Sequence, residues 1–197
     1  MRKILEAIVV GILFGLLTHI AAKYLPDNLK FLVETKIIWL LPAFLVSFNM
    51  PLRRRQSDSV IIAIVTLLAT GATYYLSAMI KNQEAFTFTE EMAKMSALGV
   101  VLGAATGIAA YLGHSATNQF IRYGSISVLP AIYTGDGINQ ILQTIEHFEF
   151  TPEIGTKVIG GLLFYLLISG PNRFKAKSLI SFATLIAIAA LIYLYMV

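Results

Sequence analysis

Runs of about 20 mostly apolar residues constrain this chain more than any other feature. A helix of roughly that length is what a bilayer core requires. The runs fall at residues 4–22, 59–80, 95–113 and 178–197, with shorter ones at 37–52 and 155–170. The chain has only 197 residues, and domains of that size are mostly surface, so water could not hide so much apolar area. Charged residues make up 13% of the chain, about half the share usual in soluble domains. The same apolar content excludes a disordered chain. With no cysteine, disulfide scaffolds, thiolate metal sites and cysteine nucleophiles are excluded too. The sequence therefore predicts an all-α, polytopic transmembrane helix bundle, a single integral membrane domain over residues 1–197.

Charge placement predicts the orientation, because Lys and Arg are retained on the cytoplasmic side. The strongest clusters are Arg53–Arg55 and Arg173, Lys175 and Lys177. Placing both inside, with Arg2, Lys3 and Arg122, gives the inner side a net of +7 and the outer side −3. That partition requires residues 120–135 to cross the membrane, although Pro130 and several Ser and Gly residues interrupt the run. Seven crossings are expected, with six as the alternative if 120–135 does not cross. The expected location is the plasma (inner) membrane, N-terminus cytoplasmic and C-terminus outside. The basic start at Arg2 and Lys3 is followed by no small-residue cleavage site, so the first helix is expected to stay. The pI of 9.3 then reports orientation and not a nucleic-acid partner.

Two patterns point beyond topology. Gly99, Gly103 and Gly107, and Gly11 with Gly15, repeat small residues every four positions, which lets a neighbouring backbone approach. They are expected to pack helices, within the chain or against a membrane partner subunit or second copy. The second pattern is residues 113–150, polar for membrane depth. Here Pro130 and Gly135-Asp136-Gly137 predict a break, with Asp136 as N-cap of a short amphipathic helix. The apolar stripe of that helix is Ile138, Ile141, Leu142, Ile145 and Phe148, with Asn139 and Gln140 on the other face. An ionisable residue at membrane depth is a functional candidate by default. His19, Trp39, Tyr74 and Tyr75 fall near the same predicted outer boundary. With Asp136, Asn139 and Gln140 they form the expected pocket for a small solute, with Asp136 as charged determinant or proton acceptor.

Signatures of enzymes are missing. There is no HExxH, Walker loop or dinucleotide-binding glycine run. Gly113-His114-Ser115 lacks the other elements of the phosphatase signature it resembles, and a retinal lysine is absent from 178–197. His19 with His147 and Glu146 or Glu149 matches no metal-ligand spacing. No enzyme activity, cofactor or metal is expected.

The order of features resembles a family of small, uncharacterised bacterial multi-pass membrane proteins. The shared points are Trp39 followed by Pro42-Ala43-Phe44, the turn Arg53–Arg55, Tyr74-Tyr75, the Gly103/Gly107 helix and Asp136. That resemblance implies no activity. In size, basic inner loops and small-residue first helix, the chain is also similar to the substrate-binding membrane subunits of energy-coupling-factor vitamin transporters. This similarity implies a small molecule captured from outside and sideways docking through Gly11 and Gly15, where those proteins carry alanine. A non-transporting assembly or regulatory partner that packs through glycine-rich helix faces is the alternative function, and an intramembrane enzyme ranks third.

Overall fold

A computed structural model describes residues 2–26, 30, 36–49, 55–82, 90–143, 151–170 and 174–196. The regular structure among the described residues is all helical, with no strand. They form α1 (Arg2–Tyr24), a 3-10 turn (Lys36–Trp39), α2 (Leu40–Phe48), α3 (Gln56–Asn82), α4 (Glu90–Ser115), α5 (Gln119–Gln143), α6 (Pro152–Ser169) and α7 (Ala176–Met196). Five of these, α1, α3, α4, α6 and α7, are long and apolar enough to cross a membrane. Large apolar side chains face outward, with Leu17 62% and Leu167 79% exposed, while Thr66, Thr70 and Ser127 are fully buried. Polar inside and apolar outside reverses the soluble pattern, and a lipid solvent explains it. The chain is a helical membrane protein.

Two compact units divide it, Met1–Tyr111 and Leu112–Val197. In the first, glycines set the helix spacing. A Cβ built on Gly11 would lie 2.6 Å from Thr66 O, and one on Gly15 would lie 2.5 Å from Thr70 O. The steps 11 to 66 and 15 to 70 make α1 parallel to α3. On the other side, a Cβ on Gly103 would sit 2.8 Å from Ile64 Cα, and one on Gly107 2.6 Å from Val60 Cα. That register makes α4 antiparallel to α3. Thr66 and Thr70 donate to Ile62 O and Thr66 O at 2.8 and 2.9 Å, so their hydroxyls are satisfied within α3.

α2 has nine residues, about 14 Å of rise and roughly half a bilayer core. The 3-10 turn extends it. Trp39 packs on Tyr74 with ring centroids 5.1 Å apart, and Ser47 Oγ donates to Ser59 O at 3.1 Å. The segment therefore returns antiparallel to α3, between the levels of Tyr74 and Ser59.

The second unit corrects the expected break. α5 is one continuous helix from Gln119 to Gln143 with Pro130 inside it, so Asp136 lies mid-helix and caps nothing. Neither Gly135 nor Gly137 adopts positive φ; the described glycine that does is Gly170, at φ 50, the C-cap of α6. Both Gly135 and Gly137 instead permit close packing. A Cβ on Gly135 would meet Ala189 Cβ at 2.6 Å, and one on Gly137 would meet Lys157 Cβ at 2.9 Å. Pro130 removes a backbone donor, but in a membrane protein neighbouring helices and hydroxyls compensate such interruptions. Thr134, one turn later, keeps its own hydroxyl satisfied by donating to Pro130 O at 2.9 Å and packs against the flat face at Gly161. The expected amphipathic helix is thus the end of α5, and Ile145 and Phe148 lie outside the described residues.

α6 begins with a built cap. Thr151 Oγ1 accepts from Ile154 N at 3.3 Å, with Pro152 in the first turn, where a missing N–H costs nothing. Tyr165 stacks on Phe182 at 4.1 Å, and its hydroxyl shares a 2.7 Å hydrogen bond with Ser178 Oγ. Residues 134 and 137 of α5 face 161 and 157 of α6, whereas 135 faces 189 of α7. α6 is therefore antiparallel to both α5 and α7.

Candidate functional site

The α5–α6 crossing holds the most costly arrangement among the described residues. Lys157 lies six residues into α6, about 8 Å of rise from its start, and is only 5% exposed. Its Nζ lies 2.6 Å from Asp136 Oδ2 on α5 and 2.6 Å from Glu153 Oε1 one turn earlier. Gln140 Nε2 donates to the same Glu153 oxygen at 3.0 Å. Gly137 makes this possible, since any side chain there would collide with the Lys157 stem. Tyr133 and Tyr193 lie within electrostatic reach of the pair.

With both carboxylates ionised and the lysine protonated, the group carries a formal −1. Removing the Lys157 and Asp136 charges from water is expensive, and the attraction within the group repays it only with good geometry and further hydrogen bonds. One turn from Asp136, Asn139 is 3% exposed, and its Oδ1 has no partner among the described residues. An unmatched buried carbonyl beside a charged cluster leaves acceptor capacity for a proton-bearing or cationic group.

Asp136 and Gln140, expected in the solute pocket, are thus brought to one centre through Lys157 and Glu153, with Asn139 beside it. Lys157 was missed. It lies inside the apolar run 155–170, with Glu153 four residues before it as an i, i+4 partner.

The other expected pocket residues gather in the first unit. Tyr74 is the hub, with His19 edge-on at 5.9 Å, Trp39 at 5.1 Å and Tyr75 at 5.7 Å. Trp39 and Tyr75 also line a cavity of about 260 Å³ beside α3 and α4, whose wall is otherwise almost wholly apolar. Trp39 Nε1 is buried without a partner among the described residues. His147, Glu146 and Glu149 lie outside the described residues, among which no three His, Cys, Asp or Glu side chains converge as a metal site.

Of the glycines singled out, Gly11, Gly15, Gly103 and Gly107 are covered by α3 of the same chain. Gly99 differs, since its Cβ would meet only the tip of Leu68 at 3.3 Å, and it opens on the cavity.

No curated protein matches the chain, and no solved structure does. A family of unknown function (DUF6518) matches residues 1–197. The chain belongs to that family.

Proposed function

We propose that the protein binds or translocates a small solute across the plasma membrane, with the Lys157–Asp136–Glu153 centre as its charged determinant. The observation that carries this reading is Lys157, buried inside a helix apolar enough to span a membrane and held by two carboxylates. Packing does not require such a group, because well-fitted apolar residues often serve stability equally well. A charged cluster kept at membrane depth marks a solute or proton path by default. The formal −1 and the unmatched Asn139 Oδ1 favour a cationic or protonatable solute.

Solute-jump currents from proteoliposomes adsorbed on a sensor membrane test this, with panels of amines, amino acids, carboxylates and nucleosides as probes. At least one probe is expected to give a transient current in the wild type that falls at least ten-fold in Asp136→Asn. A panel that gives no current, or a current indifferent to Asp136→Asn, contradicts the proposal. The alternative role as an assembly partner has less support, since α3 already covers four of the five glycines it would use.

The alternating helix directions within each unit favour seven membrane segments, with α5 and the half-length α2 joining the five apolar spans. Combined with the basic clusters, this favours an N-terminus in the cytoplasm and a C-terminus outside. Reporter fusions are expected to read Gln83 and Glu149 as external and Gln56 and Asn172 as cytoplasmic. A cytoplasmic Glu149 would remove α5 as a crossing.

A further inference from the structure

α5 and α6 meet in a ladder of facing pairs. A Cβ on Gly160 would lie 3.2 Å from Tyr133 Cε1, Lys157 pairs with Asp136, and Glu153 accepts from Gln140. Each step along α5 is matched by an equal step back along α6, so the polar edge of the seam runs for about 10 Å. Along it the side chain of Lys157 is 6% exposed, that of Asp136 17% and that of Glu153 37%. The cation lies behind its two carboxylates, and an arriving solute meets oxygen before it meets the ammonium group. Lys157 engages Asp136 through Oδ2, which leaves Oδ1 as an acceptor.

Asn139 stands one turn from Asp136 on the same helix. Residues three apart are neighbours on a helix surface, with Cβ atoms about 5–6 Å apart. Helical side chains lean towards the N-terminus, so the Asn139 carboxamide leans back over the turn of Gly135 and Asp136. Asn139 is 3% exposed, and its Oδ1 has no partner among the described residues. Burying a carbonyl without a donor is costly, and an apolar side chain of the same size would avoid that cost.

We propose that Asn139 is a specificity residue of this site, its Oδ1 and Asp136 Oδ1 each accepting one N–H of a primary ammonium group on the solute. The inference rests on the reading of the α5–α6 centre as a solute site, and it names the substrate class as small primary amines. A group of formal −1 calls for one positive charge. Calcium or magnesium would ask for about six or more oxygens, and no three His, Cys, Asp or Glu side chains converge among the described residues. Two acceptors one turn apart suit a single nitrogen that donates to both, since charge-assisted N–H···O bonds are about 2.8 Å long.

Methylammonium and trimethylammonium are the probes, because the first has three N–H donors and the second only one. Isothermal titration of the purified full chain in detergent, at a pH where both probes are protonated, compares the wild type with Asn139→Leu. That variant gives up no bond to Oδ1 and nearly conserves volume, so it is expected to fold as stably as the wild type. Asn139→Ala replaces it if circular dichroism shows it to be unfolded. The wild type is expected to bind methylammonium about ten-fold more tightly than trimethylammonium, the effect of one hydrogen bond to a charged group. In Asn139→Leu methylammonium should weaken by that factor while trimethylammonium keeps its affinity. A wild type that binds the two probes equally, or binds neither, overturns the inference, as does an Asn139→Leu variant that keeps the preference or weakens both probes alike. If solute-jump currents still fall in Asp136→Asn, only this inference has failed. If no solute gives a current, the reading of the centre has failed with it.

Discussion

Lys157→Met destabilises the protein by about 3–5 kcal/mol, the cost typical of removing one partner from a buried ion pair. The loss comes less from the attraction itself than from what is left behind. Asp136 is held at 17% side-chain exposure with its cation gone, inside a helix whose neighbours are apolar. Glu153 suffers less, since its side chain is 37% exposed and keeps its bond from Gln140. Lys157→Met with Asp136→Leu should therefore recover most of the loss, because the uncompensated charge is removed too. Equilibrium unfolding in mixed micelles with dodecyl sulfate measures all three proteins. A single variant as stable as the wild type would mean that Lys157 contributes no ion pair at this depth.

Gly107→Leu is the second large effect. Its Cβ would lie 2.6 Å from Val60 Cα and 2.7 Å from Ser59 O, and neither atom belongs to a side chain that can swing aside. α4 must move off α3, at about 3 kcal/mol or more, the upper range for overpacking. Gly124→Ala supplies the contrast. No described atom lies within 4 Å of a Cβ there, so only the helix preference for alanine acts, a gain of about 0.5–1 kcal/mol. The same unfolding assay compares them, and equal losses at both positions would contradict the close approach of α3 and α4.

These two sites also show what could be read from the sequence. The apolar runs of α1, α3, α4, α6 and α7 were legible because crossing lipid demands a length that little else in a small protein needs. The spacing of Gly103 and Gly107 announced a close neighbour, but nothing in a small-residue repeat names that neighbour, which is α3. α5 was misread because Pro130 and Gly135-Asp136-Gly137 obey turn rules learned in water. Where water cannot satisfy a broken backbone, the helix persists and its glycines become contact surfaces for α6 and α7. Asp136 was found by its charge. Lys157 was hidden because its principal partner lies 21 positions earlier in the chain, and only the antiparallel register of α5 and α6 brings the two together. His19, Trp39, Tyr74 and Tyr75 were grouped in the sequence by expected depth, and the parallel α1–α3 register sets His19 edge-on to Tyr74.

If the charged centre is retained for what it does to a solute and not for stability, the Lys157→Met, Asp136→Leu double variant, with an apolar pair in place of the ionic one, separates the two roles. Solute-jump currents from proteoliposomes of this variant, at wild-type protein density and with unfolding stability restored, are expected to vanish for every probe that moves charge in the wild type. Currents of wild-type size from that stable, uncharged variant would contradict the account.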